Sequence, residues 1–201
     1  MRITTGKYRG RIIEMPKGIR PTQEKVRKAV FDILGDIEGL SFLELFAGSG
    51  AVGFEALSRG VKDLTLVECN RDCLLVIKKN IESLALSKVE PLALGACNLY
   101  PQEAQGAIQI LFRAQRKFDI IFLDPPYYQE ISKKTLQTLV SYDILAPNGL
   151  ILVQHFGKDN LPEAAGDLVL FKQKKYGDTV LSFYRKVTIA KDSVERIADS
   201  G

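Results

Sequence analysis

The feature that most constrains this chain is a glycine loop in a particular setting. A short apolar run at residues 42–46 leads into Ala47-Gly48-Ser49-Gly50-Ala51-Val52-Gly53, and an amphipathic stretch follows over residues 51–59. A buried strand that ends in Gly-x-Gly-x-x-Gly and opens a helix needs a tight turn, and its backbone approaches a neighbour or a ligand with no Cβ in the way. Taken alone, the loop fits an adenosine-type cofactor site and also a strand-to-helix turn that binds nothing.

The rest of the chain repeats the same strand–helix alternation. Strands are expected at residues 64–68, near 91–94, at 118–123 and at 150–154, the last after the turn Pro147-Asn148-Gly149. Helices are expected at 71–84, near 101–115 and at 130–142; in the first of these, Cys73, Leu74, Ile77, Ile81 and Leu84 recur at helical spacing. Such βαβα repetition implies a buried parallel sheet. The pattern then changes, because apolar runs at 168–174 and 179–186 flank Gly177-Asp178 and predict an antiparallel hairpin at the sheet edge.

Ahead of the loop, short β-prone pieces at residues 2–5 and 11–15 enclose Gly6-Lys7-Tyr8-Arg9-Gly10 and predict a small hairpin. Pro21-Thr22 reads as a helix start with Thr22 as N-cap. Val26, Val30, Phe31 and Leu34 form its apolar face, Gly35 its end, and Lys25, Arg27 and Lys28 its exposed side. The expected organisation is a basic hairpin extension over residues 1–19, one main α/β domain over 20–186 and a fraying tail over 187–201.

Composition excludes several classes. With 201 residues, 46% hydrophobic and 26% charged, the chain is long and apolar enough to bury one sizeable core and unlike a collagen, coiled coil or disordered sequence. Its longest apolar run covers the five residues 73–77, against roughly 20 for a membrane span. No apolar signal segment follows the N-terminal charges, and Cys69, Cys73 and Cys97 cannot all pair, so a reducing cytoplasm is the expected compartment. Nor do the cysteines and the single His155 have metal-site spacing, and no metal is expected. His155, at a strand end, is read as structural in preference to lining a pocket.

The net charge of +4 is unevenly spread. Residues 1–28 hold nine basic side chains against Glu14 and Glu24, a local balance of +7 that leaves −3 for the other 173 residues. A basic arm of this kind favours polyanions through counterion release. Lys7, Arg9, Arg11, Arg20 and Arg27 are its candidate nucleic-acid contacts, and Lys172-Gln173-Lys174-Lys175-Tyr176 is either a solvated hairpin or a source of further phosphate contacts.

Two features discriminate among functions. Glu44 stands just before the glycines, where it would repel a pyrophosphate but welcome a cation, so the loop leans toward S-adenosylmethionine over a nicotinamide dinucleotide without deciding. Glu68, at the end of the next strand, can accept both hydroxyls of a ribose. The strand at 118–123 ends in Asp124-Pro125-Pro126-Tyr127. A diproline has no N–H and leaves its carbonyls free to accept. Asp124 and the Pro125 carbonyl can take both hydrogens of an exocyclic base amine, whose lone pair is otherwise delocalised into the ring, while Tyr127 stacks on the extruded base.

These motifs, in this order, resemble the class I S-adenosylmethionine methyltransferases that act on amino groups, and more closely the RsmD-type bacterial guanine-N2 methyltransferases of small-subunit ribosomal RNA. The likeness runs through Gly6-Lys7-Tyr8-Arg9-Gly10-Arg11, Arg20-Pro21-Thr22, Val26-Arg27, Phe31, the glycine loop, Glu68, Asp124-Pro125-Pro126-Tyr127 and Tyr176-Gly177-Asp178-Thr179. It implies a Rossmann-like α/β fold: a seven-stranded, mostly parallel sheet with an antiparallel C-terminal strand, plus the N-terminal hairpin and helix. It implies cofactor contacts at Glu44, Phe46, Ala47, Gly48, Ser49 and Gly50, a ribose contact at Glu68, and the target amine at Asp124, Pro125, Pro126 and Tyr127. The partner it implies is small-subunit rRNA, naked or in the small ribosomal subunit. One departure is visible: members usually place an Asp at the end of the third strand, near the adenine, and the matching Leu94-Gly95-Ala96-Cys97 has none, which leaves backbone groups near Ala96 for that contact. A DNA adenine-N6 methyltransferase, a catalytically silent RNA-binding module and a nicotinamide-dependent oxidoreductase are the alternatives.

Overall fold

The computed structural model describes residues 1–18, 24–85, 97–126 and 130–187. In chain order the elements are α1 (Glu24–Leu34), β1 (Ser41–Leu45), α2 (Ala51–Ser58), β2 (Asp63–Glu68), α3 (Arg71–Ala85), β3 (Cys97–Pro101), α4 (Ala104–Arg113), β4 (Phe118–Leu123), α5 (Ile131–Ser141), β5 (Leu145–Phe156), β6 (Ala164–Ala165), β7 (Leu168–Tyr176) and β8 (Thr179–Lys186). The strands form one sheet in the order β3-β2-β1-β4-β5-β8-β7-β6. The first five positions are parallel and the remaining pairings antiparallel. This is the expected class I architecture, with seven strands of full length and the two-residue β6 added at one edge.

The parallel strands carry no polar face because helices cover both sides. Along β1, Phe42 packs toward α1, α2 and α3, whereas Leu43 and Leu45 pack toward α4 and α5. On the first side Val30, Phe31, Val52, Phe54 and Ile77 complete the core; on the second, Ala107, Ile108, Leu111, Leu136 and Leu139 do. Strand order reverses between β1 and β4, so the connections leaving their carboxyl ends diverge to opposite faces and open a crevice there. Among the described residues no helix is long and apolar enough to cross a membrane.

The sequence-based reading needs three corrections. The sheet's third strand is Cys97–Pro101, paired with β2 from Leu64↔Cys97 to Glu68↔Pro101, while the expected strand near 91–94 lies outside the described residues. Its residues are half-buried at the sheet edge, so an apolar run is not needed there. Strand β5 begins at Leu145 and absorbs the expected Pro147-Asn148-Gly149 turn, with a register irregularity against β4 between Phe118 and Ile120. Arg27 is not on an exposed face: it is 1% exposed and sits against Glu55, Nε to Oε2 3.9 Å, with Nη2 donating to the Arg2 carbonyl at 2.8 Å. The helix-start residues Pro21 and Thr22, and residues 188–201 of the tail, lie outside the described residues.

The N-terminal segment turns back on itself, with an isolated bridge Arg2↔Ile12 and the bonds Ile3 N–H to Arg11 O (3.0 Å) and Gly10 N–H to Ile3 O (2.9 Å). It is docked rather than free, because Ile3, Tyr8 and Ile13 are buried in the α1–α3 core. Glu55 of α2 accepts from Thr4 N–H (2.8 Å) and Thr4 Oγ1 (2.7 Å), and Lys7 N–H donates to Ser58 O at 2.7 Å. The approach is closest at Gly6, where φ is +80° and an added Cβ would lie 1.8 Å from the Ser58 carbonyl oxygen. Gly10, at φ +84°, has open space in the same position.

These two glycines separate backbone strain from close approach. Gly10→Ala should destabilise the fold by about 1–2 kcal/mol, the cost of a left-handed conformation for an L-residue. Gly6→Ala adds a steric overlap with backbone and should cost at least about 3 kcal/mol. Urea unfolding of both variants measures the difference, and equal losses would rule out the tight docking of the hairpin on α2.

Candidate active site

The crevice at the β1/β4 reversal brings the two main motifs together. Leu45 and Leu123 are register partners, the next residues open the glycine loop and the Asp124 segment, and Asp124 N–H faces Leu45 O at 3.4 Å. Asp124 is half-buried, Pro125 buried and Pro126 exposed. Tyr127 lies outside the described residues, as do Ala96 and Arg20.

Each glycine of the loop serves a different purpose. Gly53 lies so close to the sheet that a Cβ would come within 2.6 Å of Leu66 and 2.7 Å of Glu44 Oε2. At Gly50, the left-handed N-cap of α2 (φ +75°), a Cβ would meet the Phe54 ring at 2.7 Å. Gly48 is also left-handed, at φ +58°, but the space its Cβ would fill is open. The N-cap residue Gly50 has no side chain to cap α2, and Phe46 has φ +63°, so the chain is held in a strained turn whose first helical amides need a partner from elsewhere.

Two carboxylates brace this turn. Glu44, 2% exposed, accepts from Gly53 N–H at 2.8 Å. Burial raises its carboxyl to about 8; the Gly53 and Val52 amides oppose the rise, and Asp124 and Glu68 add to it by repulsion. Glu68 accepts from Gly48 N–H through Oε2 (2.7 Å) and from Cys69 and Asn70 N–H through Oε1 (both 2.8 Å), tying the tip of β2 to the loop. Glu68 and Asp124 thus add negative charge around the buried Glu44 carboxyl. Such a site attracts a cation and opposes a pyrophosphate.

The sequence reading missed Glu103. Because the third strand ends at Pro101, the first carboxylate past its tip is Glu103, two residues on and the exposed N-cap of α4, with no capping bond from its side chain. Glu68 is the register partner of Pro101, two residues before Glu103, and both carboxylates add to the burial that raises the Cys69 thiol. A carboxylate therefore does stand at the end of the third strand.

The remaining candidates sort clearly. Lys7, Arg9 and Arg11 are exposed, whereas buried Arg27 has no access to a phosphate. His155 is 2% exposed, with Nδ1 2.9 Å from Phe156 O and Nε2 2.8 Å from Ser182 Oγ, and burial lowers its pKa. It is a neutral structural link between β5 and β8.

Comparison with known proteins agrees with this geometry. The family model described as conserved hypothetical protein 95 matches residues 1–185. Ribosomal RNA small subunit methyltransferase D of Haemophilus influenzae is 30% identical, aligning over 92% of this chain and 93% of its own. The Escherichia coli K12 protein of the same name is also 30% identical, over 92% and 90%. The solved structure of the Escherichia coli yhhF protein superposes with a TM-score of 0.76 at 28% identity, covering 92% of this chain and 97% of that one. The chain belongs to the conserved hypothetical protein 95 family, together with these small-subunit rRNA methyltransferases.

The raised Glu44 carboxyl has a measurable consequence. With an ordinary value of 4.5 and a folded value of about 8, the folded protein keeps a proton that the unfolded chain releases. The stabilising contribution is complete below pH 4.5 and is lost as the pH rises toward 8, by about 3 kcal/mol at pH 7. Glu44→Gln retains an acceptor for Gly53 and cannot ionise. Urea unfolding of the ligand-free variant between pH 5 and 8 should lack this slope; an unchanged slope would remove Glu44 as its source.

Proposed function

We infer that this member of the family transfers a methyl group from S-adenosylmethionine to small-subunit ribosomal RNA, and that the acceptor is the exocyclic N2 of a guanine. The observation that carries the reading is the adjacency of the carboxylate-braced glycine loop and the Asp124-Pro125-Pro126 exit at the β1/β4 reversal. Relatives named as small-subunit rRNA methyltransferases support the substrate, and the resemblance of the Asp-Pro-Pro-Tyr motif supports the guanine amine.

The residues present fit the cofactor. When bound, it supplies an electrophilic methyl group on a sulfonium. Glu68, which holds the Gly48 amide at the tip of β2, gives the loop a carboxylate suited to a cationic ligand, and the open side of Gly48 lets the backbone approach a ligand closely. Glu68 is the ribose acceptor in this reading, exchanging its bond from Gly48 N–H for hydroxyl donors. Glu103, in place of Ala96, takes the adenine amine.

For the target, the Asp124 carboxylate and the Pro125 carbonyl accept the two amine hydrogens, which directs the nitrogen lone pair at the methyl carbon. Direct transfer then needs no covalent enzyme intermediate, and the proton leaves through Asp124. Tyr127 stacks on the extruded base. Lys7, Arg9 and Arg11, held on the docked hairpin, contact phosphates and fix the register of the RNA, and Arg20 is a further candidate contact in this reading. A cytoplasmic setting follows from a ribosomal substrate.

The assay is methylation of small-subunit rRNA and of DNA with labelled S-adenosylmethionine, followed by digestion to nucleosides. N2-methylguanosine is the expected product, and N6-methyladenine in DNA would overturn the assignment. Asp124→Ala should keep S-adenosylhomocysteine binding and lose transfer by at least about 100-fold, the scale for a transition-state acceptor; near-normal turnover would refute its role. Replacing Lys7, Arg9 and Arg11 together by Gln should weaken RNA binding and flatten its salt dependence by roughly 0.7–0.9 for each phosphate no longer neutralised, with cofactor affinity unchanged. A wild-type salt slope would show these charges to be solvated only.

A further inference from the structure

Helix α3 carries an anomaly in its buried stripe. Cys73, Ile77 and Leu84 face the core at helical spacing, and between the last two stands Asn80, 1% exposed. An amide is costly at such a position unless its hydrogen bonds are made. Asn80 makes three: Oδ1 accepts from Glu14 N–H at 2.8 Å, and Nδ2 donates to Glu14 O and to Ser49 O, both at 3.1 Å. With two carbonyls and one N–H around it, the orientation of the amide is fixed by its partners.

The two partners belong to different parts of the site. Ser49 is the residue between Gly48 and Gly50, so its carbonyl direction sets the peptide planes of the turn that leads into α2. Glu14 follows the N-terminal hairpin by two residues beyond the Arg2↔Ile12 bridge, and Arg11, whose carbonyl accepts from Ile3 N–H, lies three residues before it. Glu14 is held through its backbone on both sides by one side chain, as a strand partner would hold it. Leucine would satisfy the core here but would connect nothing.

We propose that Asn80 is a positioning residue that couples the basic hairpin to the glycine loop, so that RNA bound by the hairpin and cofactor bound by the loop raise each other's affinity. The inference rests on the methyltransferase reading above. RNA contacts on the docked hairpin restrain Glu14 further, Asn80 passes that restraint to the Ser49 carbonyl, and the loop then has less freedom to lose when the cofactor binds. Linkage requires the same factor in the opposite direction.

The test is calorimetric titration of S-adenosylhomocysteine into the full chain, with and without saturating small-subunit rRNA. In the wild type, RNA should tighten binding by at least about fivefold, the lower end of ordinary coupling. In Asn80→Ala the ratio should fall to about one. A merely structural role would lower stability and both affinities while leaving that ratio as it was, so an unchanged ratio overturns the proposal. Hydrogen exchange on the wild type gives a second measure that needs no variant: S-adenosylhomocysteine should slow exchange over residues 11–16, and unaltered exchange there overturns the proposal even if Asn80→Ala fails to fold. A wild type that binds both ligands with a ratio of one sinks the coupling alone. Failure to bind either ligand sinks the methyltransferase reading with it.

Discussion

The closeness of α2 to the sheet is the constraint on which the rest of the site depends. At Gly53 the helix passes within a methyl group's width of Leu66 and the Glu44 carboxyl, and no larger residue fits without moving β1, β2 or the helix. That proximity brings the Gly53 amide onto Glu44, shortens the connection from β1 and obliges Phe46, Gly48 and Gly50 into left-handed conformations. A loop strained in this way persists only where its surroundings over-determine it. Here Glu44 holds it from below, Glu68 from the tip of β2 and Asn80 from α3.

Using carboxylates as braces has an electrostatic consequence. Glu44 and Glu68 are oriented by backbone N–H groups, and neither has a cationic partner among the ion pairs of the described residues. Repulsion from Glu68 and Asp124 favours the protonated form of Glu44 and would be relieved by a ligand of opposite sign. Burial is the larger cause of the raised Glu44 carboxyl and this repulsion adds to it, so the ligand-free fold already holds more negative charge at the loop than it balances. Three internal lysines would have left the same loop geometry suited to a phosphate.

Most of the frame is legible in the sequence because each signal is local. The run Phe118–Leu123 and its Asp-Pro-Pro ending, the Gly177-Asp178 turn and the helical spacing from Cys73 to Leu84 each name an element without reference to the others. What is not legible depends on tertiary context. β3 is an edge strand whose residues are half-buried, so it lacks the apolar run that marks a central parallel strand, and the misplaced strand end hid Glu103. Arg27 follows the charge pattern of a solvated face until Glu55, 28 positions later, is found beneath it. Asn80 left a visible trace as a polar residue in an apolar stripe, but its two partners are 66 and 31 residues away.

The buried Arg27–Glu55 contact shows how interior charge sets the position of exposed charge. An ion pair removed from water seldom adds net stability over an apolar pair of the same shape, because desolvation offsets the attraction. Its effect here is on register. Glu55 also accepts from the amide and hydroxyl of Thr4 and from Arg59 Nε at 3.2 Å, while Arg27 donates to the Arg2 carbonyl, a set of partners that a one-residue slip of the hairpin would break. Lys7, Arg9 and Arg11 are thereby held at fixed places relative to α2 although they remain in solvent. Their attraction for phosphates weakens with salt, since it is screened over about 10 Å at 0.1 M, whereas the buried contact that positions them is screened far less. In the proposed reading, ionic strength therefore changes how tightly a polyanion is held without changing where it is held, and the register between a bound strand and the Asp124 crevice is preserved across that range.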